Sequence, residues 1–274
     1  MTTTQKTIKY LAIALAIFLI VSIISGIVSA IIALGRFITD DDNYKLDNYK
    51  TIEVNKDFNS LHLDIAGTNV IIKKGDELKV ETNNKYIYTK YNDNKLTIKE
   101  EKNYHLRTKI DSDVIVYIPE GFNLEELKLG AGAGTVEISD ITVNKLDFDQ
   151  GAGKAIIKNT ISTGLTDIDG GAGSFEITNS ELHNLDLDMG AGKLEIEAKL
   201  TGKSDIDCGV GEAIIKLIGT KKDYSLKLSK GLGSITVDGN EYSSNTVVGD
   251  GDNYVEIDGG VGALKIMFNE KEVY

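Results

Sequence analysis

The chain has 274 residues, of which 41% are hydrophobic, with 28 glycines, one proline (Pro119) and no tryptophan. Glycine at that level with almost no proline excludes a collagen-like repeat and a disordered linker, and asks instead for many tight turns. The formal charge is −12, and so acidic a body repels phosphate backbones, which argues against nucleic acid as a partner.

The first predicted element is apolar. From Tyr10 to Leu34 the chain reads YLAIALAIFLIVSIISGIVSAIIAL, 25 residues without a charge. As a helix it would measure about 37 Å, more than the ~30 Å hydrocarbon core, so a transmembrane helix is expected over 10–34. Val28-Ser29-Ala30 offers the alternative of a cleaved export signal, but the apolar run continues through it. A signal's apolar stretch is only about 7–15 residues long. Lys6 and Lys9 precede the span, whereas Arg36 after it is followed by Asp40-Asp41-Asp42. The basic flank predicts a cytoplasmic tail over 1–9 and everything beyond the span outside the membrane. Residues 35–50 have no apolar periodicity and read as an acidic linker. The expected location is therefore the bacterial cell membrane, crossed once.

From residue 51 the pattern changes to strands. TIEV, LHLDIAGTNVIIKKG, LKVET, KYIYTKY, KLTIKEE and DVIVYI alternate apolar and polar residues, as half-buried strands do. LHLDIAGTNVIIK reads as a degenerate copy of the repeat that follows, with one glycine, Gly67. Residues 51–118 are expected to form N-terminal coils and a cap, since open strand edges need cover. Pro119 closes the last strand before the regular repeats.

Over 119–274 glycine-small-glycine triplets begin at Gly132, Gly151, Gly171, Gly190, Gly209, Gly231 and Gly260, in steps of 19, 20, 19, 19, 22 and 29 residues. Three residues before the first glycine stand Leu129, Phe148, Ile168, Leu187, Ile206, Leu228 and Ile257. Six residues after it stand Ile138, Ile157, Ile177, Ile196, Ile215, Val237 and Ile266. Between the glycines lie Ala133, Ala152, Ala172, Ala191, Val210, Leu232 and Val261, a column expected to be buried. Each unit reads as strand, Gly-x-Gly bend, strand and a short return turn such as KLTGKS. Strands this short with no helical pattern between them exclude a strand-helix-strand crossover. A period near twenty predicts an all-β, single-domain parallel β-solenoid over 51–274, its successive coils stacked about 4.8 Å apart. A sandwich of hairpins is the alternative, although hairpin turns would favour Asn-Gly or Asp-Gly pairs. The longer last steps mark an insertion, EYSSNTVVGDGDNY, as a capping hairpin or a loop.

The runs LDFDQGAGKAII, LDLDMGAGKLEI, DIDCGVGEAIIKL and KKDYSLKLSKGLGSITVDG, with KLTIKEEK and DVIVYIPEGFNLEELKL upstream, resemble the bacterial putative-adhesin family of unknown function. The resemblance covers about residues 51–268. It implies a β-solenoid of short strands at the cell envelope, in some members near envelope-stress regulation, and it supplies no activity or ligand.

Chemistry is sparse. A dinucleotide fingerprint needs a third glycine and a helix after the bend, but Gly190-Ala191-Gly192 leads into the alternating Lys193-Leu194-Glu195-Ile196. No nucleotide or other cofactor is expected. Asp149, Asp169, Asp188, Asp207 and Asp258 stand two residues before the triplet, and Asp147, Asp167, Asp186, Asp205 and Glu256 four before. Both sets should face outward and stack into ladders, which makes Asp149, Asp169, Asp188 and Asp207 weak candidates for calcium. The nonapeptide G-G-x-G-x-D-x-U-x fails at its ligand, since Phe175 and Leu264 occupy the aspartate position. The plainer account has each aspartate bonding its bend as an Asx turn. His62, His105 and His183 are scattered, Cys208 reads as a packing residue, and Tyr86, Tyr88 and Tyr91 form either cross-strand pairs or an exposed aromatic patch. No catalytic residue is assigned. The sequence supports a non-catalytic structural or interaction module at the envelope, with a protein or glycan partner. An enzyme acting on envelope polysaccharide and a calcium-dependent binding module are the alternatives.

Overall fold

A computed structural model describes residues 48–54, 58–101 and 112–270. The expected transmembrane helix, the tail before it, most of the linker and His105 lie outside the described residues. Among the described residues all regular structure is β, in nineteen strands, and no helix is long and apolar enough to cross a membrane. The N-terminal part supplies β1 (Lys50–Ile52), β2 (Ser60–Ile65), β3 (Asn69–Gly75), β4 (Lys79–Thr82), β5 (Ile87–Asn92), β6 (Lys95–Glu100) and β7 (Asp113–Pro119). The repeats supply β8 (Glu126–Ala131), β9 (Thr135–Ser139), β10 (Thr142–Val143), β11 (Lys145–Lys158), β12 (Ile161–Ser162), β13 (Thr166–His183), β14 (Leu185–Thr201) and β15 (Lys203–Ile218). Last come β16 (Tyr224–Val237), β17 (Asn240–Tyr242), β18 (Thr246–Val248) and β19 (Asn253–Asn269).

The repeats stack as solenoid-like coils, and those from β8 to β14 have three sides. Side A precedes the Gly-x-Gly bend, side B follows it, and side C closes the turn. Parallel pairing aligns Phe148, Ile168, Leu187 and Ile206 on side A. It aligns Ile157, Ile177, Ile196 and Ile215 on side B, and Ser162, Leu182 and Leu200 on side C. Alternation sends these residues inward, where each is at most 1% exposed; each fully buried Leu, Ile or Phe contributes about 1.5–3 kcal/mol. Side C differs from the expected return turn. Glu181–Leu182 pairs with Ile161–Ser162 and Lys199–Leu200 follows in the same ladder, so the return is itself a short strand.

The ladder runs on through the bend, pairing Ala152, Ala172, Ala191 and Val210. At Gly192 (φ +135°) a Cβ would fall 1.9 Å from the Gly173 carbonyl oxygen of the neighbouring coil. At Gly190 it would fall 2.5 Å from the Gly171 oxygen. Both glycines are required because two backbones meet there. The residue between them points outward instead. Ala133 and Leu232 are exposed, and Ala152, Ala172, Ala191, Val210 and Val261 half-buried, so the expected buried column is an outer corner ridge.

Coil order also departs from sequence order. The coil β2–β3 lies between β8–β9 and β6–β7. At the far end β19 lies between β15 and β16. Each outermost coil is thereby one that neighbouring chain can fold back on. The strands β5 and β4 run antiparallel on β6 and β7, and β1 runs antiparallel on β4. Likewise β17 and β18 run antiparallel on β16. The two-residue turns Asp93-Asn94 and Asp238-Gly239 have positive φ at both positions, which is the hairpin geometry that twisted strands favour. EYSSNTVVGDGDNY thus supplies most of the second cap.

Candidate functional site

Side A carries two outward columns, and the register fixes their composition. Asp147, Asp167, Asp186, Asp205 and Glu256 stand in one column; Asp149, Asp169, Asp188, Asp207 and Asp258 stand in the other. The strand that buries Phe148, Ile168, Leu187, Ile206 and Ile257 inward therefore presents ten carboxylates outward, at the coil spacing of about 4.8 Å. Asp149, Asp169, Asp188, Asp207 and Asp258 are exposed, while Asp147, Asp167 and Asp205 are half-buried.

Cations close the first column at both ends. Lys128 Nζ lies 2.7 Å from Asp147 Oδ2, and Lys227 Nζ 2.5 Å from Glu256 Oε1. Between them no cation among the described residues pairs with Asp167, Asp169, Asp186, Asp188, Asp205 or Asp207. Burial, then the charges of Asp147 and Asp186, raise the carboxyl pKa of Asp167. Burial and a hydrogen bond with Asp149 raise that of Asp169, and burial with Asp205 and Asp188 that of Asp207. The opposite holds on side B, where Lys154–Glu176 (3.7 Å), Lys193–Glu195 (2.5 Å), Lys216–Glu197 (3.5 Å) and Lys265–Glu212 (2.7 Å) alternate in sign. One face is balanced and the other is a field of like charge.

Asp149, Asp169, Asp188 and Asp207 are thus brought together, as neighbours along one ladder. Among the described residues no group of three or more His, Cys, Asp and Glu side chains is placed to hold one metal ion. The two described histidines have separate partners. His62 Nε2 lies 2.8 Å from Glu126 Oε2, to which Ser60 Oγ also donates at 3.0 Å. With Lys145 these contacts hold the Glu126 carboxyl down at about 2. His183 Nδ1 lies 2.9 Å from Thr201 Oγ1. Cys208 is half-buried, stacked between Met189 and Gly259, and burial pushes its thiol up to about 11. Tyr88 and Tyr91 are exposed on the outer strand β5, and Lys90 stands 5.5 Å over the Tyr88 ring.

Two arrangements escaped the sequence. Glu100 reaches the bend of coil β2–β3, where its Oε2 accepts from the N–H groups of Ala66 (2.8 Å), Gly67 (2.9 Å) and Thr68 (3.3 Å). Elsewhere such donors meet the next coil's carbonyls, as Ala152 N–H meets Gly132 O at 3.0 Å; Glu100 stands in for the missing bend. At a distance of 32–34 residues it gave no local signal. The other is a polar ladder at the corner between sides B and C. Asn159 Nδ2 donates to Asp140 Oδ1 and Asn179 Nδ2 to Asn159 Oδ1, both at 2.8 Å. These residues stand eight positions after the first glycine of their triplets, so a column was there to be found.

Comparison with known proteins gives a family match over residues 58–257, to the Toastrack DUF4097 model. Among solved structures, one described as a putative cell adhesion protein from Clostridium sporogenes is 18% identical, with 81% of this chain and 99% of that chain covered and a TM-score of 0.36. Putative adhesins from Bacteroides fragilis and Parabacteroides merdae are each 14% identical and cover 80% of this chain, with 96% and 95% of those chains covered and TM-scores of 0.37. No curated protein matches.

Proposed function

Because the chain belongs to the Toastrack DUF4097 family, we propose that it is an adhesin-like, non-catalytic interaction module: a parallel β-solenoid over 51–274, held outside the cell membrane by a helix over 10–34. One observation carries this reading. Side A presents ten carboxylates in fixed register on an outward face, five of them the exposed second column. A repeated, open, rigid face suits contact with an extended partner, since little ordering remains to be done when that partner binds. Glycoside chemistry, by contrast, sets one acid and one base across a scissile bond in distinct environments. The raised carboxyls Asp167, Asp169 and Asp207 stand on one repeating face and are raised in the same direction, by burial and by neighbouring aspartates.

The partner is expected to be an envelope protein or glycan. The test is crosslinked pull-down of the anchored protein from its own membrane, with residues 51–274 added as competitor. Specific recovery that the competitor abolishes supports the reading, and recovery of nothing above background overturns it. Placement is tested separately by a cysteine introduced at Asn43. A membrane-impermeant maleimide should label it in intact cells, and labelling only after lysis would put this end inside.

A further inference from the structure

A cleft opens where the first three-sided coil begins. Coil β2–β3 leaves side B at Gly75 for the cap strand β4. The segment joining β7 to β8 turns sharply, with Phe122 N–H donating to Pro119 O at 3.1 Å and Gly121 at φ +74°. Among the described residues the strand β10 is therefore paired on one edge, by β12. Between that turn and β10 lies an open cleft of about 890 Å³.

Its chemistry is of two kinds. Ile118, Phe122, Ile141 and Ile161 give it apolar lining, and Ile161 is 39% exposed. The polar lining includes the Asp140–Asn159–Asn179 ladder and Thr142. The ladder is already fixed by its own 2.8 Å hydrogen bonds, and each carboxamide nitrogen keeps a second N–H to donate. The lining cation, Lys74, is committed to Glu120 at 2.7 Å, and Asp140 adds negative charge. With Lys74 set against both Glu120 and Asp140, the charged lining is net negative and disfavours an anionic polymer. An extended peptide would need a pairing edge, and β10 offers two residues. Ordered carboxamide donors and acceptors with one carboxylate, beside an apolar ledge that includes the Phe122 ring, suit vicinal hydroxyls and the C–H faces of sugar rings. The rungs repeat along the stack at the coil spacing of about 4.8 Å, so a ligand that repeats in that direction meets the Asn159 and Asn179 carboxamides in turn.

We infer that this cleft binds a neutral oligosaccharide, its chain along the Asp140–Asn159–Asn179 ladder and its ring faces on the Phe122–Ile161 ledge. The inference rests on the reading of the chain as an interaction module and names one ligand class for it. The test uses the full-length protein in lipid nanodiscs with ¹³C-labelled isoleucine methyls, titrated with the neutral sugars cellotetraose, maltotetraose and tetra-N-acetylchitotetraose. At least one sugar should shift the Ile141 and Ile161 methyls while leaving Ile215 and Ile266 unmoved. N159G/N179G keeps glycine-compatible backbone and removes the amides; I161D keeps the ladder and spoils the ledge. Each should weaken binding about tenfold or more with the remaining isoleucine spectrum unchanged. The assignment fails if none of the three sugars moves those methyls at millimolar concentration, if the shifts survive both variants, or if a decapeptide library binds there instead. A competitor-sensitive protein partner recovered by pull-down would then still leave the wider interaction reading standing.

Discussion

At the scale of single residues, the bend and the ladder make opposite demands. Gly192 is locked between coils, so Gly192→Ala drives a methyl into the Gly173 carbonyl and should cost about 3 kcal/mol or more by urea unfolding. Ala191→Val, one position away, should change stability by less than about 0.5 kcal/mol, because the outer ridge already holds Val210 and Val261 in other coils. The carboxylates behave differently again. The folded pKa of Asp169 is raised, by burial first and then by Asp149, so the folded state keeps a proton that the unfolded chain has lost. Stability therefore falls as pH rises from the ordinary aspartate range through the raised folded value, and the penalty is complete above it. Asp169→Asn should stabilise the protein at pH 7 by about 0.5–1 kcal/mol and lose that advantage below the ordinary range. Glu126 has the opposite sign. Its carboxyl is held at about 2 by His62, so its contribution is full above the usual glutamate value and disappears as pH falls through about 2. Glu126→Gln should be less stable than the native chain at pH 7, with the gap narrowing below the usual glutamate value and closing only below about pH 2, read from paired thermal melts.

At the scale of elements, the strands were legible because alternation and burial obey one rule. The columns of Phe148 and Ile157 were expected to be interior, and both are. The outer ridge was misjudged because an apolar residue between two glycines looks buried on composition alone, whereas the glycines bring the backbones together and turn Ala191 out. The acidic columns were read correctly as ladders, since period two leaves Asp186 and Asp188 nowhere else to point. The Asn159 ladder went unread because asparagine at a turn has a local explanation that conceals its copies. The caps carry their own prediction. Gly239 holds φ +78° in the turn between β16 and β17, and a β-branched residue resists that conformation. Gly239→Val should release β17 and β18, uncover the outer edge of β16 and raise concentration-dependent light scattering. Glu100→Ala should strip the carboxylate from three N–H groups at the other end and cost about 1–3 kcal/mol in urea unfolding.

At the scale of the whole molecule, a 19–20-residue repeat indicated stacked coils but did not reveal that order changes at the ends. Periodicity reports that coils resemble one another and is silent on which pairs with which. The order follows from edges: a coil can be outermost only if chain beside it in sequence is free to run back over it, and β16 with β17 and β18 meets that condition. The same order makes side A continuous, since β19 brings Glu256 and Asp258 against Asp205 and Asp207 and puts Lys227 of β16 at the end of the row. Had β16 followed β15 directly, Lys227 and Ser229 would interrupt the acidic face one coil sooner. Disulfide trapping decides between these arrangements, because only Cα atoms about 4.4–6.8 Å apart can be bridged. In a Cys208→Ser background, the pair Asp207→Cys and Asp258→Cys should crosslink under mild oxidation, and the pair Asp207→Cys and Ser229→Cys should not. Crosslinking of 207 with 229 in place of 258 would contradict the stack and the unbroken carboxylate face built on it.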